Sequence, residues 1–294
     1  MLTSAKYSVF EFKLFLGKTC IQFISEIPLQ ITEEIQNFQA VHRSADIIVR
    51  ICIKNQRIAK TNYCGEDLLL EYYKEDGHYL AFAKKGLKDS ATVVAYTSDF
   101  SDCTFYINEE EFPNMIRALN KIIQLFPLRQ LLIHFDAMIL HASRICYNGK
   151  TFLFSAPSQV GKSTQAKLWK TYEKAEIVSN DRSLIQKENN AFFTYGYPVD
   201  GSEPVYSNKR FPLGAIIILK QGTNNHVKRL TVVRSLRYLI EQTVADVWNA
   251  EELIQIQMLW MDLLEKHPVY LLTCRPEQSA VSCLKEQLMK DGVI

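Results

Sequence analysis

No stretch of this chain is apolar for the ~20 residues that a bilayer crossing needs, and runs such as Leu213 to Leu219 fall far short of it. The N-terminus carries no basic-then-apolar leader, so a cytoplasmic protein without a membrane partner is expected. Seven cysteines (Cys20, Cys52, Cys64, Cys103, Cys146, Cys274 and Cys283) include no C-x-x-C pair. Their odd number and spacing argue against both a disulfide framework and a zinc site and for reduced, mostly buried thiols. The six histidines are too scattered for a metal cluster. Charge is balanced, with a net +2 and 22% charged residues, which leaves no electrostatic footprint for nucleic acid or an acidic surface. Low-complexity tracts, long charge blocks and internal repeats are also missing. What remains is a 47% hydrophobic chain of 294 residues, the composition of a globular protein with room for two domains.

One stretch is distinctive. Ser155-Ala156-Pro157-Ser158-Gln159-Val160-Gly161-Lys162-Ser163-Thr164 follows an apolar run, Thr151 to Phe154, and precedes a helix-forming segment, Gln165 to Lys174. That is the strand-loop-helix context of a phosphate-binding loop. Backbone N–H groups from Ser158 to Thr164 would cradle phosphate oxygens at a helix N-terminus. Each charge-assisted hydrogen bond is worth about 1.5–3 kcal/mol, against about 0.3–1 kcal/mol for the helix dipole, so the cradle dominates. Lys162 would bridge the β- and γ-phosphates, and the Ser163 hydroxyl would ligate Mg²⁺. Ala156 replaces the first glycine of the usual pattern. A positive φ would cost alanine about 1–2 kcal/mol, so Ala156 is expected to keep a negative φ as the last residue of its strand.

Upstream, Lys6 to Phe15, Thr19 to Phe23, Ile47 to Lys54, His78 to Ala83 and Thr92 to Thr97 are β-prone runs separated by turn signals. Residues 1–110 are therefore expected to form a small, mostly antiparallel β module. Residues 111–135 should be a helical connection, a first helix through Met115, Ile116, Leu119, Ile122 and Ile123 and a second from Leu128 to Phe135. Residues 136–294 form the loop-bearing domain. There Met138 to Tyr147 and Lys150 to Ser155 flank Asn148-Gly149, a strong signal for a type I′ hairpin, so the loop is fed from an antiparallel strand. A second hairpin spans Ser183 to Tyr197, a buried strand Leu213 to Lys220, and the C-terminal part reads as helices at 235–243, 250–266 and 277–290 around a strand at Val269 to Thr273.

Four pieces in this order, Leu140-His141-Ala142-Ser143, Gly149 through Thr164, Asn180-Asp181-Arg182, and Tyr195-Gly196-Tyr197-Pro198 with Leu213 to Leu219, resemble the HPr kinase and phosphoenolpyruvate carboxykinase type of P-loop kinase. The likeness is greatest to HPr-kinase-related proteins of peptide-modification clusters, the lasso-peptide kinase type. The resemblance implies an α/β (α+β) kinase domain behind a smaller β domain. It implies ATP- and Mg²⁺-dependent phosphorylation of a hydroxyl, commonly a serine of a peptide or small protein; a homo-oligomer is left open. It also implies catalytic roles for His141 and Asp181 beside Lys162, with Asp181 as metal ligand or base.

Each of these residues has a plainer alternative. His141 can be a core histidine and Asp181 a capping residue. Arg210 offers a planar fork for phosphate, and Lys209 a second cation, but paired basic residues also make ordinary solvated turns. Asn180 stands where the family places an acid, so a small-molecule kinase and a nucleotide-binding switch without turnover remain as alternatives. The tryptophans Trp169, Trp248 and Trp260 read as core residues.

Overall fold

A computed structural model describes residues 9–40, 42–54, 58–84, 92–108, 117–198 and 207–294. It is a mixed α and β protein with two sheets that divides into two compact units. The first unit is Met1–His134 together with Asp246–Ala250, and the second is Phe135–Ala245 with Glu251–Ile294.

In the first unit, β1 (Phe10–Leu16), β2 (Thr19–Ser25), β3 (Ile47–Ile53), β4 (Tyr63–Glu66), β5 (Leu70–Glu75), β6 (His78–Ala83), β7 (Thr92–Tyr96) and β8 (Cys103–Ile107) form one sheet of order β1-β2-β3-β8-β7-β6-β5-β4. Side chains of β3 alternate, with Ile47, Val49 and Ile51 buried and Ile48 and Arg50 exposed, as the two-residue period of a strand dictates. The sheet is not wholly antiparallel, because β3 runs parallel to both β2 and β8. The short α1 (Glu33–Gln36) and the apolar α2 (Leu119–Gln124) and α3 (Leu128–His134) belong to the same unit. The two helices are thus part of the β unit and not a separate connection over 111–135. The N-terminal half of the expected first helix and most of the loop after Tyr197 lie outside the described residues.

Asp246–Ala250 joins this unit through side chains. Trp248 packs on Tyr72 with ring centroids 4.6 Å apart. Gly65 (φ +159) permits it, since a Cβ there would lie 2.4 Å from Trp248 Cβ. Asp246, fully buried, is paired with Arg129 at 2.6 Å and accepts from Gln130 at 3.1 Å, while Asp67 pairs with the same guanidinium.

The second unit is built from β9 (Ala137–Tyr147), β10 (Lys150–Ser155), α4 (Lys162–Glu173), β11 (Glu176–Ser179), β12 (Arg182–Glu188), β13 (Ala191–Tyr195), β14 (Phe211–Gln221), β15 (His226–Arg229), α5 (Val232–Gln242), α6 (Ala250–Lys266), β16 (Val269–Cys274) and α7 (Gln278–Lys290). Asn148 and Gly149 both have positive φ (50° and 75°), the conformation a type I′ turn requires. They join β9 to β10 as an antiparallel hairpin. On its other side β10 runs parallel to β14, so the strand that feeds the loop has one neighbour of each sense. The pairings β10–β9–β12–β13–β14–β10 close into a ring. Within the ring, β9 pairs β12 over its first half and β10 over its second, and β14 pairs β13 at Phe211 and Pro212 and β10 from Leu213 to Ile218.

Helix α4 buries Lys162, Gln165, Ala166 and Trp169, the i, i+3, i+4, i+7 stripe of an amphipathic helix. Trp169 stacks on Phe152 (6.2 Å between centroids) and meets Tyr147 edge-on (5.3 Å). Burying each such aromatic contributes about 1.5–3 kcal/mol, and this packing holds the helix and its N-terminus against the end of β10. Among the described residues no helix is long and apolar enough to cross a membrane.

Candidate functional site

The loop leaves the ring at Ser155, whose hydroxyl donates to the His141 carbonyl at 2.9 Å. Ala156 is buried and lies one residue past the end of the strand, and its φ is not positive, as expected for alanine in place of glycine. The left-handed positions fall later. Gln159 has φ 66° and Gly161 has φ 122°. Ser158 and Gln159 are exposed, Val160 and Ser163 half-buried and Thr164 exposed. Gly161 is the N-cap of α4 and supplies no side-chain cap, so it leaves the first-turn N–H groups to an outside acceptor, as an anion site at a helix start requires.

Lys162 turns back across its own loop. Its ammonium donates to the carbonyls of Ala156 at 2.9 Å and Pro157 at 3.3 Å. Burial holds its pKa below the usual lysine value, and the Asp181 carboxylate offsets part of that. Lys162 and Asp181 are therefore within electrostatic reach of one another.

Strand pairing explains why. His141 on β9 is opposite Arg182 on β12, and the Ala142 N–H donates to the Asp181 carbonyl at 2.9 Å. The Ser143 hydroxyl donates to the Asn180 carbonyl at 2.7 Å. The Asn180-Asp181 turn is thus pinned to the β9 residues that neighbour Ser155. There His141 Nε2 lies 2.9 Å from Asp181 Oδ1. The hydrogen bond from His141 is the main cause that holds the Asp181 carboxyl below the usual carboxylate pKa, helped by the charges of His141, Arg182 and Lys162 and opposed by burial.

Arg210 is elsewhere, and its assignment to phosphate is corrected. It immediately precedes β14, whereas the β14 residue paired with Ser155 is Ile218. Eight residues of strand at ~3.3 Å each put it about 26 Å from the loop end of the ring, beyond any side chain's reach. Its guanidinium is engaged there by Glu188 (3.0 Å), the Tyr195 hydroxyl (3.1 Å) and the face of Phe193 (3.4 Å). Lys209 pairs with Glu176 at 2.5 Å at the same end. A β-prone flank and two cations could not reveal which end of a strand they occupy.

On the other side of the loop, between α4, β14 and β16, is a cleft of about 330 Å³. Gln159, Val160, Gly161 and Thr164 form one wall and Lys220, Cys274 and Arg275 lie among the residues of the other. Gln165 and Cys274 were not picked out from sequence. The available signal was the three-residue spacing of Gln165 from Lys162 on the buried stripe of α4.

For a metal, Ser163 and Asp181 offer two hard oxygens. Mg²⁺ is usually held by one or two carboxylates with substrate phosphates and water, so this donor set suits it. Among the described residues no three His, Cys, Asp or Glu side chains gather into a protein-only metal cage.

No protein-family model matches the chain, and no curated protein is similar to it in sequence. Among solved structures it is similar to the Hpr(Ser) kinase/phosphatase from Coxiella burnetii, with 10% identity, 52% of this chain and 98% of that chain covered, and a TM-score of 0.33.

Proposed function

We propose that the chain is a kinase that moves the γ-phosphoryl group of a nucleoside triphosphate, ATP in the first instance, to a hydroxyl, with Mg²⁺ bound by Ser163 and Asp181 among others. The observation that carries this reading is the convergence at one end of the ring of the glycine-capped loop with Lys162 and the His141–Asp181 pair at 2.9 Å. In the transfer the acceptor oxygen bonds to the γ-phosphorus, the bond to the β–γ bridging oxygen breaks, and the nucleoside diphosphate leaves. Lys162 would release the Ala156 and Pro157 carbonyls and balance charge on the transferred group. The bound metal supplies further neutralisation of the phosphate charge.

Asp181 is the first candidate to accept the hydroxyl proton. Its lowered pKa makes it a weak base, since proton acceptance follows basicity. The better division of labour has Asp181 fixing the His141 tautomer with Nε2–H, which leaves Nδ1 to take the proton. The acceptor class favoured is a serine hydroxyl of a peptide or small protein.

The test is incubation with γ-labelled ATP, with and without chelator, and candidate peptides or metabolites. Metal-dependent label in a peptide supports the proposal, and label in a metabolite moves the acceptor to a small molecule. Tight nucleotide binding with no transfer to any acceptor would favour a switch, the reading that the neutral Asn180 motivates.

A further inference from the structure

The cleft beside the loop contains a polar group that the fold does not use. Gln165 is 3% exposed on the buried face of α4 and lines the cleft. Its Nε2 donates to Cys274 Sγ at 3.3 Å, while its Oε1 has no hydrogen-bond partner among the described residues. A buried amide oxygen left unpaired carries an uncompensated desolvation cost, so a ligand that donates to it is favoured.

The surroundings narrow the ligand. The cleft shares Gln159, Val160, Gly161 and Thr164 with the phosphate cradle, and its volume of about 330 Å³ falls at the lower end of small-ligand pockets. Apolar surface comes from Val160 and Leu219, and Lys220 and Arg275 stand exposed at its mouth. The far rim is preformed: the Asn225 side-chain oxygen accepts from the Arg275 N–H at 2.9 Å and its amide donates to Glu277 at 2.9 Å. A planar ring with an amino group at its edge, attached to a phosphate chain that starts at the loop, meets all of these features.

We propose that this cleft seats the base of the nucleotide and that Gln165 Oε1 accepts from the 6-amino group of adenine, which makes the protein select ATP over triphosphates bearing a 6-keto base. This rests on the phosphate-loop reading above. Inosine triphosphate carries a carbonyl where the amine stands and a proton on the adjacent ring nitrogen, and its carbonyl facing Gln165 Oε1 sets two acceptors against each other.

The experiment is calorimetric titration of the full chain with ATP, inosine triphosphate and inorganic tripolyphosphate. ATP should bind about tenfold more tightly than inosine triphosphate, the value of one hydrogen bond to a buried acceptor, and tripolyphosphate should bind more weakly than either but measurably. Gln165→Leu should reduce the ATP to inosine triphosphate ratio to near one, with circular dichroism confirming the fold.

A second measurement uses wild-type protein. Alkylation of Cys274 by iodoacetamide, followed by peptide mass mapping, should be slowed by ATP and not by tripolyphosphate. Equal affinities for the two nucleotides, or a Cys274 labelling rate indifferent to ATP, with tripolyphosphate still bound, would overturn the base site and leave the phosphate loop standing. Failure of tripolyphosphate and both nucleotides to bind would overturn the loop reading and this proposal with it.

Discussion

The loop conformation can be tested through two substitutions with opposite expected signs. Gly161 has φ 122° and ψ 23°, a region closed to residues with a Cβ. A Cβ added there would find nothing within 4 Å beyond its immediate chain neighbours, so Gly161→Ala introduces backbone strain and no packing clash. The cost of such a conformation is about 1–3 kcal/mol. At about 2–4 °C per kcal/mol for a unit of this size, the melting temperature of the second unit should fall by about 2–12 °C. Gln159 already occupies φ 66°, at a cost of about 1–2 kcal/mol for a non-glycine residue. Gln159→Gly relieves that strain but frees the unfolded chain by about 0.5–1 kcal/mol, for a net gain of up to about 1.5 kcal/mol. Differential scanning calorimetry reads both, and titration with tripolyphosphate reads the loop itself. A Gly161→Ala variant that melts within a degree of wild type and binds tripolyphosphate equally would refute the argument, because the loop would then not depend on this backbone geometry.

Lys162→Ala should abolish transfer, since the ammonium acts on charge that develops in the transition state, and circular dichroism should be unchanged; normal turnover would remove the assignment. His141→Ala and Asp181→Asn should each lower turnover by at least about 10²-fold, and the double variant should be little worse than either, because two groups that act as one unit are not additive. Fully additive losses would separate their roles. Asp181 has a folded-state pKa below its unfolded value, so its contribution to stability is complete above the usual carboxylate pKa of about 4 and is lost as pH falls through the lower folded value. Acid titration of stability should therefore be shallower in Asp181→Asn below about pH 4, and identical slopes would contradict the His141 interaction. Asp246→Ala leaves Arg129 with Asp67 as its remaining carboxylate; breaking a buried pair costs about 3–5 kcal/mol, here at the low end of that range, and a loss under about 1 kcal/mol in urea unfolding would show that the pair is not structural.

How far the chain could be read from its residues depends on whether the signal was local. The Asn148-Gly149 turn, the amphipathic stripe of α4 and the strand-loop-helix passage from β10 into α4 are each specified within about ten residues, and each is visible in the sequence. Strand β15 (His226-Val227-Lys228-Arg229) was missed because it pairs only with β16 at the edge and is exposed or half-buried throughout, so it needs no apolar alternation. Strands β4 and β5 were missed for a related reason, since Tyr63-Cys64-Gly65-Glu66 contains a glycine and Leu70 to Glu75 three charged residues, and both gain their order from cross-strand partners. The parallel senses of β3 against β2 and β8, like the closure of the ring through β10 and β14, are decided by pairing between distant segments, which no periodicity encodes.

The site follows the same division. Lys162 is given by its place in a local motif, but the pairing of His141 with Asp181 depends on the register of β9 against β12, forty residues away in the chain. Arg210 shows the reverse case. Its side chain has the chemistry of a phosphate ligand, yet the register that sets Ile218 opposite Ser155 assigns it to the far end of the ring. Chemistry alone therefore nominates residues, and strand register decides which of them can meet a common ligand.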